Sequence, residues 1–205
     1  MAGRRVIRAR SEPIVPARSA LLLIDTQQGV VASAQGDFAT AMQQRAIPAM
    51  ASLLRAARAA GLEVVYTVIE SLTLDGRDRS LDYKLTGFNF PKGSPEARVI
   101  APLRPDEDEI VLPKTSSSPF NSTVLDYVLR NIGIDTILVT GFRTDQCVDH
   151  TIRDGADRGY NMICIADACA APSPLQHDTA LAAFAGYCRI ADSATIIAEM
   201  ERGGD

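Results

Sequence analysis

Residues 20–24 read Ala-Leu-Leu-Leu-Ile, an apolar run with no polar position inside it, closed by Asp25. A strand with one wet face alternates apolar and polar residues. An unbroken run predicts a strand buried on both faces, as in a parallel sheet covered by helices. From about residue 40 to 60 the pattern becomes that of an alanine- and leucine-rich helix, which Gly61 stops. Glu63–Ile69 (EVVYTVI) is β-branched and apolar and predicts a second strand; 109–112 predicts a third, after an acidic, proline-bearing turn. Asn121 suits the N-cap of a helix running to Asn131, with Gly133 as its stop. TILVT at 136–140 predicts another buried strand, ending at Gly141. A helix is expected over 147–158 before Gly159, a strand over 161–165 and a helix over 174–186. Strands alternating with helices require crossover connections. The fold class is therefore α/β: a three-layer sandwich, Rossmann-like, around a central, mostly parallel sheet of about six strands.

One stretch breaks this rhythm. Residues 71–96 carry Asp75-Gly76, Gly87, Pro91, Gly93 and Pro95, with Tyr83, Phe88 and Phe90 set among Arg77, Arg79 and Lys84. Loops of this length in compact domains serve as lids or linkers, and the aromatics argue against a disordered linker. A lid over the active site is expected here. Residues 1–18, with a basic run at 4–10, read as a solvated N-terminal arm.

The chain has 205 residues, enough for one domain with a full core, taken as 1–205. Apolar residues make up 46% and charged residues 22%, ordinary for a globular protein. A net charge of −4, with the run at 4–10 as the one basic run, gives no reason to expect a nucleic-acid surface. No window approaches the ~18 apolar residues of a membrane span, and the basic N-terminus lacks the apolar stretch of a signal peptide. Four cysteines (147, 164, 169 and 188) read as thiols rather than a disulfide framework, and only two histidines exist. A cytoplasmic location is the expectation.

Three polar signals fall where open parallel sheets bind ligands, at the carboxyl ends of strands. Asp25 ends the first strand, Lys114 lies just past the third, and Cys147 begins the helix after the strand that ends at Gly141. A carboxylate, an amine and a thiol together suit nucleophilic catalysis. A free thiol, with pKa near ~8.5, is weakly reactive at neutral pH; a helix N-terminus and a nearby ammonium both favour the thiolate. Asp25 is placed to take the thiol proton and return it to a leaving amine, with backbone N–H groups around Arg143 and Cys147 as oxyanion donors. Taken singly, the aspartate reads as a cap, the lysine as a surface charge and the cysteine as a small buried hydrophobe. Their joint occurrence at three strand ends gives the catalytic reading its weight.

Around these residues the sequence becomes familiar. Leu21 to Gln27 (LLLIDTQ), Leu112 to Phe120 (LPKTSSSPF) and Thr140 to Thr151 (TGFRTDQCVDHT) resemble, in order and spacing, the signature blocks of the isochorismatase-like cysteine hydrolases. That family includes nicotinamidase, N-carbamoylsarcosine amidase, ureidoacrylate amidohydrolase and biuret hydrolase. The resemblance implies Cys147 as nucleophile, Asp25 as proton acceptor and donor, and Lys114 as thiolate stabiliser. It also implies a cis peptide at Phe142–Arg143, aiming backbone donors at the substrate oxygen, and a homodimer or homotetramer. Nicotinamidases hold a metal on an aspartate and histidines near the second strand; residues 64–75 here contain no histidine, and neither His150 nor His177 replaces one. No metal or other cofactor is therefore expected.

The activity expected is hydrolysis of a C–N amide or ureido bond in a small molecule through a covalent acyl-enzyme. Vinyl-ether hydrolysis of the isochorismatase kind is the alternative, disfavoured by the presence of Cys147. A catalytically idle interaction protein of the same fold and a redox-sensing thiol are further alternatives. A nucleotide-binding reading fails, because no strand leads into a glycine-rich phosphate loop. Candidate substrate-binding residues are Gln27, Glu70, Arg77, Arg79, Tyr83, Phe88, Phe120 and Asn121. Arg77, Arg79 and Lys84 are placed to meet a carboxylate, unless they are solvated charges offset by Asp75, Asp78 and Asp82.

Overall fold

Ser19–Ile24 forms the first strand, β1, and all of its side chains are buried. Alternate residues part to opposite faces, as strand periodicity requires. Leu21 and Leu23 join an apolar cluster with Leu53 and Leu54 of helix Ile47–Ala60 and Ile196 of helix Ser193–Arg202. Ala20, Leu22 and Ile24 join a second, with Leu129 of helix Leu125–Asn131 and Ile152 of helix Asp149–Asp157. The unbroken apolar run thus feeds two cores, one on each side of the sheet, and the three layers follow. This computed structural model describes residues 12–202, so the basic run at 4–10 lies outside the described residues. The near end of the expected arm is packed rather than solvated: Ile14 is buried in the first core.

The other strands are β2 (Glu63–Ile69), β3 (Ile110–Lys114), β4 (Thr136–Phe142), β5 (Asn161–Ala170) and β6 (Arg189–Ala191). They form one sheet in the order β3-β2-β1-β4-β5-β6 with every pair parallel. The chain winds outward from β1 to β3, then returns to lay β4 along the other edge of β1. That reversal is a topological switch point, which opens a crevice at the carboxyl ends of the strands.

Several boundaries differ from those the sequence predicts. β3 runs through Lys114 rather than stopping before it, pairing Lys114 with Ile69. β4 passes through Gly141 to Phe142, and β5 extends to Ala170 across a register shift opposite Val139 and Gly141. The helix expected from residue 40 starts at Gly36 and passes through a π turn, Met42–Ala46, into Ile47–Ala60. Pro48 lacks an N–H and crowds the carbonyl a turn earlier, so the wider turn accommodates it. Asn121 is not a cap. It lies inside a short helix, Pro119–Ser122, and Thr123 accepts from Leu125 N at the start of the next one. The helix bearing Cys147 begins earlier, with a π turn over Thr144–Val148.

Gly141 fixes how closely β1 and β4 approach. Its φ is +118°, and a Cβ there would lie 2.1 Å from the Ile24 carbonyl oxygen. Asp25 follows at φ +55°, the only non-glycine residue with positive φ among the described residues. That region is sparsely used by side-chain-bearing residues. The Asp25 N–H donates to Thr67 O at 2.9 Å, which holds the residue in this turn at the end of the sheet.

Residues 71–96 fold over the same end. Ser80 N donates to Thr115 O and Ser71 N to Phe90 O, at 2.8 and 2.9 Å. A short helix, Leu81–Leu85, is capped by Ser80, whose hydroxyl accepts from Tyr83 N. Tyr83, Phe88 and Phe90 stack edge to face with successive centroid separations of 5.2 Å. The segment is a packed roof.

Candidate active site

Asp25 and Lys114 arrive from the ends of β1 and β3, and Cys147 from the π turn after β4. The Lys114 ammonium lies 2.9 Å from Asp25 Oδ2 and 3.4 Å from Cys147 Sγ. It also donates to Ser116 O at 2.9 Å and to the Tyr83 hydroxyl at 3.4 Å. An ammonium has three donors, and these acceptors surround it. Thr67 Oγ1 donates to Asp25 Oδ1 at 3.3 Å, and the Tyr83 hydroxyl lies 3.8 Å from the thiol. Asp25 and Lys114 are 1% and 0% exposed, so their pairing takes place outside bulk water. The Phe142–Arg143 peptide is cis.

Burial dominates the proton affinities. It pushes the Asp25 carboxyl above its usual range, while the Lys114 charge and the bonds from Cys147 and Thr67 pull back only in part. For Lys114 burial works against the charge, but Asp25, then Cys147 and Tyr83, outweigh it and the ammonium is held more firmly than usual. The Cys147 thiol is pushed up to about 12, first by burial and then by the Asp25 charge, with Lys114 opposing. This corrects the expectation of a thiolate stabilised at rest. The helix start and the ammonium are both present, but a buried thiolate beside a carboxylate costs more than they return.

The cysteine turn is held from behind. Thr144 Oγ1 lies 2.8 Å from Nδ1 of buried His177, which ties helix Pro174–Phe184 to the π turn. Burial pushes the His177 pKa down, keeping the ring neutral. Arg143 forms two bonds to Asp145, Nε–Oδ1 at 3.1 Å and a terminal nitrogen–Oδ2 at 2.7 Å.

Above the thiol is a cavity of about 420 Å³, large enough for a small metabolite. Val30, Phe38, Ile69, Phe88, Phe142 and Pro172 give it apolar walls, and Asp82, Arg143 and Gln146 supply polar groups. Tyr83 and Phe88 of the roof line it. Other candidates do not. Gln27 is buried and cross-ties the chain, accepting from Ile69 N and donating to the carbonyls of Ile69 and Glu96. Glu70 accepts from Gly93 N at 2.6 Å and faces a separate groove. Arg77 is exposed and paired with Asp75, and Arg79 donates to the carbonyls of Gly76, Tyr83 and Phe88, holding the roof together. Phe120 packs on Tyr160 and Asn121 donates to Asp154, both turned toward helix Asp149–Asp157. Gln27, Glu70, Phe120 and Asn121 meet partners brought from elsewhere in the chain, which linear spacing does not reveal, whereas Arg77 and Arg79 are held by near neighbours in sequence.

Thr67, Ser116, Thr144 and His177 are contributors that the sequence reading passes over. Thr67 left a signal, being the one aliphatic hydroxyl inside the apolar run EVVYTVI. Among the described residues no group of three or more His, Cys, Asp or Glu side chains is arranged to hold a metal ion. Nor is any helix among them long and apolar enough to cross a membrane.

Comparison with known proteins agrees with this architecture. A family model described as the isochorismatase domain matches residues 19–195. A ureidoacrylate amidohydrolase of Pantoea ananatis is 32% identical over 187 residues, covering 80% of this chain and 74% of the relative. One from Methylorubrum extorquens is 32% identical over 202 residues, covering 85% and 80%. Among solved structures, a cysteine hydrolase from Pseudomonas syringae superposes with a TM-score of 0.84 at 29% identity, over 98% of this chain and 99% of that one. N-carbamoylsarcosine amidase from Thermoplasma acidophilum does so with a TM-score of 0.72 at 29% identity, over 86% and 96%.

Proposed function

The chain belongs to the isochorismatase family, and from that premise we propose that it hydrolyses a C–N bond of a small amide or ureido compound, with Cys147 as nucleophile. The observation that carries the reading is a thiol at the floor of a cavity, 3.4 Å from an ammonium that is itself paired with a carboxylate. The two named relatives, a ureidoacrylate amidohydrolase and an N-carbamoylsarcosine amidase, support C–N chemistry.

In this mechanism the thiol is protonated at rest and loses its proton to Asp25 as sulfur attacks the carbonyl carbon. A raised Asp25 pKa suits that exchange, because a base nearer neutrality takes the proton with a smaller uphill step. The Lys114 ammonium offsets the negative charge that moves between carboxylate and sulfur. Backbone N–H groups of Arg143 and Cys147 receive the oxyanion. Asp25 then protonates the departing nitrogen as the C–N bond breaks, leaving a thioester. Water deprotonated by Asp25 hydrolyses the thioester and restores the thiol. The roof excludes bulk water during these steps.

Ammonia release over a panel of small ureides and carboxamides tests the proposal, with Cys147→Ser run alongside. Turnover of at least one C–N substrate, lost in the variant, is expected. Full activity in Cys147→Ser, or hydrolysis of a vinyl ether with no ammonia released from any C–N compound, overturns it.

A further inference from the structure

The charges around the cavity do not balance. Asp25 is compensated by Lys114, and the Arg143 guanidinium by Asp145 through two bonds. Ser33 and Thr86 also line this space, and their hydroxyls donate to the carbonyls of Val30 and Asp82. Asp82, an exposed residue of the roof helix Leu81–Leu85, also lines the cavity, and its carboxylate has no hydrogen-bond or ion-pair partner among the described residues. The other roof cations are turned elsewhere: Arg77 pairs with Asp75, Arg79 is bonded to main-chain carbonyls, and neither these nor Lys84 lines the cavity. One negative charge without a protein counter-charge therefore stands at the solvent-open rim of an apolar-walled cavity.

We infer that Asp82 is a specificity-determining residue that selects amides or ureides bearing an ammonium, or another donor-rich group, over those bearing a carboxylate. This rests on the proposed C–N hydrolysis and narrows its substrate class. A carboxylate entering the cavity meets the Asp82 charge, and it gains Arg143 only by displacing Asp145 from both of its bonds. A cationic group meets an acceptor with free lone pairs, while the apolar walls cover the carbon chain between it and the reacting carbonyl. Low-dielectric walls strengthen such a field, and salt weakens it.

The charge preference is measurable at Cys147 without any substrate. Alkylation by iodoacetate, iodoacetamide and 2-bromoethylamine is timed by mass spectrometry, each rate being divided by that of a free thiol under the same conditions. The normalised iodoacetate rate should be lowest and the bromoethylamine rate highest. Asp82→Asn should raise the iodoacetate-to-iodoacetamide ratio by roughly 3- to 10-fold, and high salt should move the wild type the same way. In parallel, matched amides with ammonium, neutral and carboxylate tails should show the lowest KM for the ammonium tail, with Asp82→Asn removing the difference. An iodoacetate rate equal to or above that of iodoacetamide, or a ratio untouched by Asp82→Asn, overturns the inference. Preferred hydrolysis of the carboxylate series also overturns it, while leaving the C–N reading in place. If the alkylation pattern holds and no C–N compound is hydrolysed, the functional reading fails and the charge selection at the thiol stands.

Discussion

The Lys114 ammonium lies 2.9 Å from the Asp25 carboxylate with both side chains closed off from water. A buried pair of this kind contributes little net stability, but losing one partner strands the other charge. Lys114→Met should therefore destabilise the fold by ~3–5 kcal/mol in denaturant unfolding. Adding Asp25→Asn should recover much of that loss. A single variant as stable as the wild type would show that the carboxylate reaches water or a proton by another route.

The protonation of Cys147 gives a second expectation. With burial pushing the thiol up to about 12, its alkylation by iodoacetamide should rise about tenfold per pH unit from 7 to 9, with no plateau. Cys164, Cys169 and Cys188 are buried away from the cavity and should react later. A plateau near neutral pH would show a preformed thiolate.

In the proposed mechanism Asp25 must be ionised to accept the thiol proton, and burial holds its pKa above 3.8. The acid limb of kcat/KM should thus fall at a pH above 3.8, with activity lost as pH drops through the raised value. Thr67→Val, which removes a bond that stabilises the carboxylate, should move this limb further up. For stability the sign is opposite: the folded state holds this proton more tightly than the unfolded chain. The contribution of Asp25 is therefore greatest below pH 3.8 and is lost as pH rises through its folded pKa. A limb at or below 3.8 in the pH–rate profile would contradict the burial argument.

Gly141→Ala should be severely destabilising, by about 3 kcal/mol or more. A methyl there meets the Ile24 carbonyl at 2.1 Å, and φ of +118° is closed to alanine. Any protein that folds should lose activity, because Asp25 directly follows Ile24. Calorimetry and rate measurements check both parts.

The roof arginines should behave differently from each other. Arg77→Ala removes an exposed pair with Asp75 and should leave the melting temperature and KM close to wild type. Arg79→Ala removes bonds to Gly76, Tyr83 and Phe88 and should change kcat and KM together while exposing the roof to proteolysis. A KM effect confined to acidic substrates in either variant would restore the carboxylate-binding role that their chemistry suggests.

What the sequence determined by itself was the class of fold and the residue types gathered at the candidate site. The unbroken run before Asp25 and the run EVVYTVI require burial on both faces, and that requirement already implies parallel strands under two helical layers. Asp25, Lys114 and Cys147 were legible because strand ends are marked locally, by the last apolar residue before a polar one. The tertiary structure decided which polar residues meet the cavity. Gln27, Arg79 and Asn121 carry suitable chemistry, yet each is held by partners between 3 and 69 residues away in sequence. Asp82 looked like an offsetting charge on a loop, and it lies at the cavity on the short helix that Ser80 caps. The thiol's proton affinity was decided there too. Spacing along the chain places a cysteine near a helix start and a lysine, but only the packed fold sets how much water is removed from it, and desolvation outweighs both.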